Sequence, residues 1–96
     1  MAKFDKIAVL NKIGSTGMVP VFYHKDAEIA KKVVKACYDG GVRAFEFTNR
    51  GDFAHEVFAA VVKYAAKECP EMAMGVGSIV DPATAALYLQ LGACFV

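Results

Sequence analysis

The stretch Asp39-Gly-Gly-Val-Arg-Ala-Phe-Glu-Phe-Thr-Asn-Arg50 holds the junction of the unit that repeats along this chain. Gly40-Gly41 stops a helix, because glycine reaches the left-handed backbone region at no steric cost. Arg43 to Thr48 then reads as a strand. Its period-two alternation puts Phe45 and Phe47 on one face, and Ala44, Glu46, Thr48 and the following Arg50 on the other. Upstream, Asp26 caps a helix in which Ile29, Val33 and Cys37 recur every fourth residue. Before it, Gly17-Met-Val-Pro-Val-Phe-Tyr23 is a short apolar run that reads as a strand, and Pro20 argues for an edge position or a bulge because proline cannot donate to a ladder. Phe4 to Asn11 predicts a leading helix that ends near Gly14. Downstream, Asp52 is the expected cap of a helix with Phe53, Val57, Val61 and Ala65 on one stripe, closed by Cys69-Pro70. Met72 to Gly77 follows as a strand, Asp81-Pro82 opens a helix through Leu91, and Ala93 to Val96 begins a fourth strand.

The order is one helix and then β-α-β-α-β-α-β. Strands alternating with amphipathic helices imply parallel strands joined by right-handed crossovers, an α/β fold. A (β/α)8 barrel averages about 250 residues, or about 31 per unit, so four strands make half of one. The expectation is a single partial domain over 1–96, the first half of a TIM barrel, because an open four-stranded sheet leaves apolar faces and edges bare.

Composition supports burial on both sheet faces. Of 96 residues, 56% are apolar in the broad set that includes tyrosine, which excludes a disordered chain. A net charge of +1 leaves no electrostatic footprint for nucleic acid or an anionic membrane. No apolar run reaches the ~18 residues of a membrane span. Cys37, Cys69 and Cys94 are odd in number and widely spaced, so reduced thiols and a cytoplasmic setting are expected. His24 and His55 lack partners at ligand spacing, so neither a metal nor a cofactor is expected.

Chemistry concentrates at the strand ends. On the lumen face, a carboxylate at Glu46 calls for a nearby cation, and Arg50 at the strand's end could be that cation. Barrel enzymes place their active sites on this C-terminal rim. A carboxylate there can exchange protons, and a guanidinium can hold a substrate carboxylate through paired hydrogen bonds. A purely structural Glu46–Arg50 pair fits the same pattern. Met74-Gly-Val-Gly-Ser78 ends the next strand at the same rim. Gly75 and Gly77 permit close approach, and Ser78 offers a hydroxyl. Lys25 is the one lysine near the rim, without a sign of the burial that would activate it.

Val19-Pro-Val-Phe, Asp39-Gly-Gly-Val-Arg, Phe45-Glu-Phe-Thr-Asn-Arg50 and Gly75-Val-Gly-Ser-Ile79 together resemble the 2-keto-3-deoxy-6-phosphogluconate / 4-hydroxy-2-oxoglutarate (KDPG/KHG) aldolase family. The likeness runs the length of the chain and matches the N-terminal half of a family member. It implies a class I aldolase, in which a lysine forms a Schiff base with a 2-keto acid and pyruvate and an aldehyde are released. Under this resemblance Glu46 is the general acid/base, and Arg50 binds the pyruvyl carboxylate. Ser78, where the family usually has threonine, assists, and Thr48 and Gly77 complete the substrate-binding set. Asn49 stands where leucine is common. The family's Schiff-base lysine and phosphate loops lie beyond Val96, so this chain alone is expected to be inactive. Members are commonly trimers, which implies a homo-oligomer. Two other readings stay open. One is a self-associating half-barrel scaffold or anion binder; the other is a nucleotide-binding module using Gly75 and Gly77.

Overall fold

A computed structural model describes residues 1–96. Its elements are α1 (Lys6–Thr16), β1 (Val21–Phe22), α2 (Ala27–Asp39), β2 (Ala44–Thr48), α3 (Ala54–Glu68), β3 (Ala73–Gly77) and α4 (Pro82–Gln90). The three strands form one parallel sheet in the order β1-β2-β3. This is the α/β architecture expected of the first half of a TIM barrel, with the short proline-preceded strand at the edge. The fourth strand is not formed. Residues 93–96 nonetheless lie beside β3, where the Cys94 N–H donates to the Met74 carbonyl (2.7 Å) and the Val76 N–H to that of Phe95 (3.0 Å).

Local signals account for most boundaries. The side chains of Asp5, Asp26 and Asp81 each accept a backbone N–H at 2.8–2.9 Å, satisfying donors that a helix start leaves unpaired. Gly17 (φ 70°) closes α1, about one turn later than the pattern around Gly14 suggested. Gly41 (φ 105°) supplies the left-handed residue after α2. The start of α3 departs from expectation: Phe53, at φ 59°, takes the cap position without a side-chain cap, and Asp52 makes no capping bond.

Two stripes also shift at their first positions, while Val61 and Ala65 are buried as expected and Val33, Cys37 and Val57 pack partly buried against the core. Ile29 is exposed, and Ala30 and Val34 are fully buried in α2. Phe53 is 68% exposed, and Ala54, Phe58, Val61 and Ala65 face inward from α3. Both shifts have one cause. Parallel sheet and paired helices approach closely, and the small residues Ala30 and Ala54 suit that contact better than larger neighbours. The core lies between the sheet and helices α2 and α3, where Phe47 packs on Tyr23 and Phe58 (centroids 5.5 and 6.0 Å). Cys69 is buried at the end of α3, and burial pushes its thiol above the usual range. α1 contacts β2; Lys3, just before it, donates to the Pro70 carbonyl (2.5 Å), and Lys12 within it pairs with Glu71 (3.1 Å), tying this end of the chain to the loop entering β3. It therefore lies away from the strands' C-terminal rim. No helix is long and apolar enough to cross a membrane.

Candidate active site

Parallel pairing decides which side chains share a face. Glu46 is opposite Gly75, Thr48 opposite Gly77, and Val21 opposite Glu46. Phe45 and Phe47 are opposite Met74 and Val76, and all four are in the buried core. The other face of β2 and β3 thus carries Ala44, Glu46, Thr48, Ala73, Gly75 and Gly77, as the alternation predicts. On β3 this face holds nothing larger than alanine.

That bareness positions two side chains. The Glu46 carboxyl lies directly over Gly77, so a Cβ placed on Gly77 would stand 2.6 Å from the carboxyl carbon. The ring of Phe95 lies over Gly75 in the same way. Glycine at 75 and 77 thus leaves the room that these groups occupy. The two glycines are occupied by this chain's own side chains, and the Asp81 carboxylate already caps the following helix. Hydrogen bonds from Thr84 hold the Asp81 carboxyl below its usual range. A negative charge at that helix start repels a pyrophosphate, which counts against the nucleotide-binding reading.

The rim gathers the remaining groups. Thr48 is 1% exposed, and its hydroxyl has no hydrogen-bond partner in the chain. A buried, unpaired hydroxyl is costly unless it meets a ligand or water. Arg50 is exposed two residues past the end of β2. The chain's three ion pairs are Lys12–Glu71, Lys31–Glu28 and Lys35–Asp39, so the expected Glu46–Arg50 pair is not formed. Glu46 leans along the sheet towards Gly77, leaving the Arg50 guanidinium unpaired. Ser78 sits at φ 61°, a left-handed backbone that serine rarely adopts, and is exposed at the end of β3. Such strain is a recognised mark of functional positions. Lys25 is exposed, and the His24 Nδ1 accepts the Asp26 N–H (2.9 Å).

Glu46, Thr48, Gly77 and Ser78 are therefore brought to one face or its rim, and Arg50 follows in the loop after β2. They do not line a closed cavity: the four cavities, of about 320 to 590 Å³, are bounded by other residues. The reason is geometric. Three strands give an open, weakly curved sheet, and a concave lumen requires closure.

This rim arrangement accompanies a match to the family model "Aldolase: KDPG and KHG aldolase" over residues 9–96. The chain belongs to the KDPG and KHG aldolase family. It is similar to the KHG/KDPG aldolase of Escherichia coli (strain K12), with 37% identity over 78 residues, covering 81% of this chain and 35% of that protein. It is also similar to the 2-dehydro-3-deoxy-phosphogluconate aldolase of Pseudoalteromonas atlantica, with 30% identity over 95 residues, covering 99% of this chain and 42% of that protein. The chain thus spans less than half the length of these relatives.

Sequence reading missed the support beneath the rim. Tyr88 of α4 is fully buried and packs edge-on against Phe58 (5.1 Å), and its hydroxyl donates to Asn49 Oδ1 (2.9 Å). Burial raises the Tyr88 phenol above its ordinary value of 10.0, with nearby Tyr23 adding to the shift. A raised folded-state value means that this contribution to stability is complete below pH ~10 and fades as pH climbs through the folded value. Thermal melts from pH 8 to 11.5 are expected to show an alkaline loss that is smaller in Tyr88→Phe than in the wild type. Equal slopes would show that Tyr88 does not carry it.

Proposed function

We propose that this chain supplies the proton-transfer and carboxylate-binding half of a Schiff-base aldolase site that acts on a 2-keto acid and releases pyruvate and an aldehyde. What carries the reading is the placement of Glu46 over Gly77, on the same face as the unpaired Thr48 hydroxyl and beside the exposed Arg50 and Ser78.

Each group has a physical role in this reading. Arg50 receives the substrate carboxylate through two parallel N–H···O bonds, which fixes the keto carbon relative to the sheet. Ser78 donates to the same carboxylate, and Thr48 finds its missing partner on the bound acid or an ordered water. Glu46 takes a proton as the amine adds to the ketone and returns one as water leaves. It then takes the proton of the substrate hydroxyl as the aldol bond breaks and the aldehyde leaves, and delivers that proton to the enamine carbon; water then hydrolyses the Schiff base, releasing pyruvate and the amine. The amine comes from outside these residues in this reading, since Lys25 is exposed to solvent and lies in no enclosed site. The isolated chain is therefore a binding half without a nucleophile. It would work as part of a homo-oligomeric, cytoplasmic enzyme whose partner is a small 2-keto acid.

Borohydride trapping with pyruvate, read by intact mass, tests this directly. The folded 96-residue chain is expected to give no adduct. A chimera joining it to the remainder of the Escherichia coli relative is expected to give one adduct per chain. An adduct on the isolated chain would place the amine within these residues. A folded chimera without one would favour the non-catalytic scaffold.

A further inference from the structure

Arg50 stands in the short loop between β2 and α3, and both of its chain neighbours meet a tyrosine. Before it, the Asn49 side chain accepts the Tyr88 hydroxyl (2.9 Å), and the Asn49 N–H donates to the Gly77 carbonyl (2.9 Å). After it, Gly51 lies against the Tyr23 phenol, so a Cβ there would stand 2.6 Å from the ring carbon that bears the hydroxyl. The two tyrosines come from opposite ends of the chain. Tyr23 follows β1 and packs on Phe47; Tyr88 is in α4 and packs on Phe58. Between these two seats, the Arg50 N–H turns back to the Thr48 carbonyl (3.0 Å).

We infer that Tyr23 and Tyr88 are positioning residues for Arg50, each seating one of its two neighbours so that the guanidinium is presented at the rim. The inference rests on the reading of Arg50 as the carboxylate-binding group. The physical logic is preorganisation. An exposed arginine carries much rotamer freedom, and holding its backbone from both sides lowers the ordering cost of each binding event. A loop with a single tether could pivot about it, whereas two tethers fix both ends of the three-residue segment. The packing also explains why position 51 is glycine: a side chain there would displace Tyr23. Because its phenol stays protonated well past neutral pH, Tyr88 remains a donor throughout the working range.

The test uses the ¹⁵N-labelled 96-residue chain and its Tyr23→Phe, Tyr88→Phe and Arg50→Ala variants. Two readouts are taken: amide hydrogen exchange, and the pyruvate dissociation constant from NMR titration. Phenylalanine keeps the ring packing and removes only the hydroxyl. Losing one such contact is expected to speed exchange at Asn49 and Arg50 and weaken pyruvate binding, each about five-fold, with the Phe45 and Met74 amides unchanged. A purely structural role would speed exchange across the whole sheet and leave pyruvate affinity alone, and that result would overturn the inference. So would unchanged exchange at Asn49 and Arg50 in both tyrosine variants. If Arg50→Ala binds pyruvate like the wild type, or the wild type does not bind it, the proposed function fails instead. Exchange at the loop then decides on the tyrosines alone. Should Tyr88→Phe fail to fold, Asn49→Leu removes the same hydrogen bond from outside the core.

Discussion

Glu46→Gln, in a chimera that joins these residues to the remainder of the Escherichia coli relative, is expected to lower kcat for aldol cleavage by about 10²–10⁴-fold, the usual worth of a positioned general acid/base. Glutamine keeps the length and planar end of the side chain, so it fits over Gly77 as the carboxyl does. It can neither take a proton nor return one. Substrate KM is expected to change little, because the proposed site assigns the carboxylate of the acid to Arg50. The two constants should therefore separate: Glu46→Gln acts on kcat, and Arg50→Ala acts mainly on KM. Steady-state kinetics with a coupled pyruvate assay reads both. A chimera whose kcat is unaffected by Glu46→Gln would remove Glu46 from the reaction.

Gly77→Ala should be nearly silent in stability and costly in activity. The added methyl group meets the Glu46 carboxyl, the free end of a flexible side chain, and that end can swing aside at little cost. Within a strand, alanine also loses less backbone entropy on folding than glycine does, which offsets any residual crowding. The thermal midpoint is therefore expected to stay within a few degrees of the parent. Proton transfer is less forgiving, since misplacing a reacting group by about 1 Å can cost about 100-fold. The expected result is a kcat loss of about 100-fold in the chimera with an unchanged melt. A Gly77→Ala chimera as active as its parent would show that the seat over Gly77 is not the working position of Glu46. Gly75→Ala is a useful contrast. There the methyl group meets the ring of Phe95, whose rigid body has less room to move, so the melt itself should fall.

The face and rim that carry the candidate site are legible in the sequence, and the reason lies in particular residues. The alternation of Phe45 and Phe47 with Glu46 and Thr48 assigns faces because successive strand side chains must point opposite ways. Gly40-Gly41 and Asp81-Pro82 mark a helix end and a helix start because their preferences act within three or four residues. The rim follows from these, since parallel strands put all their C-terminal ends on one side. Patterning was less secure where two apolar residues stand side by side at the edge of a stripe. Ile29 and Ala30, or Phe53 and Ala54, are adjacent apolar residues, and only the partner surface decides which of each pair turns inward.

By itself, then, the sequence determined the order of elements, the parallel α/β class, the family, and the grouping of Glu46, Thr48, Arg50 and Ser78 at one end of the sheet. These follow from local backbone preference and strict strand periodicity, which short stretches of chain carry. Tertiary structure alone decided that Glu46 rests over Gly77 and pairs with no cation. It alone placed Phe95 over Gly75, left residues 93–96 short of a strand, and brought Tyr23 and Tyr88 beneath the loop that bears Arg50. Each of these is a meeting of residues tens of positions apart. Such contacts depend on the register and packing of whole elements against one another, which no local pattern encodes.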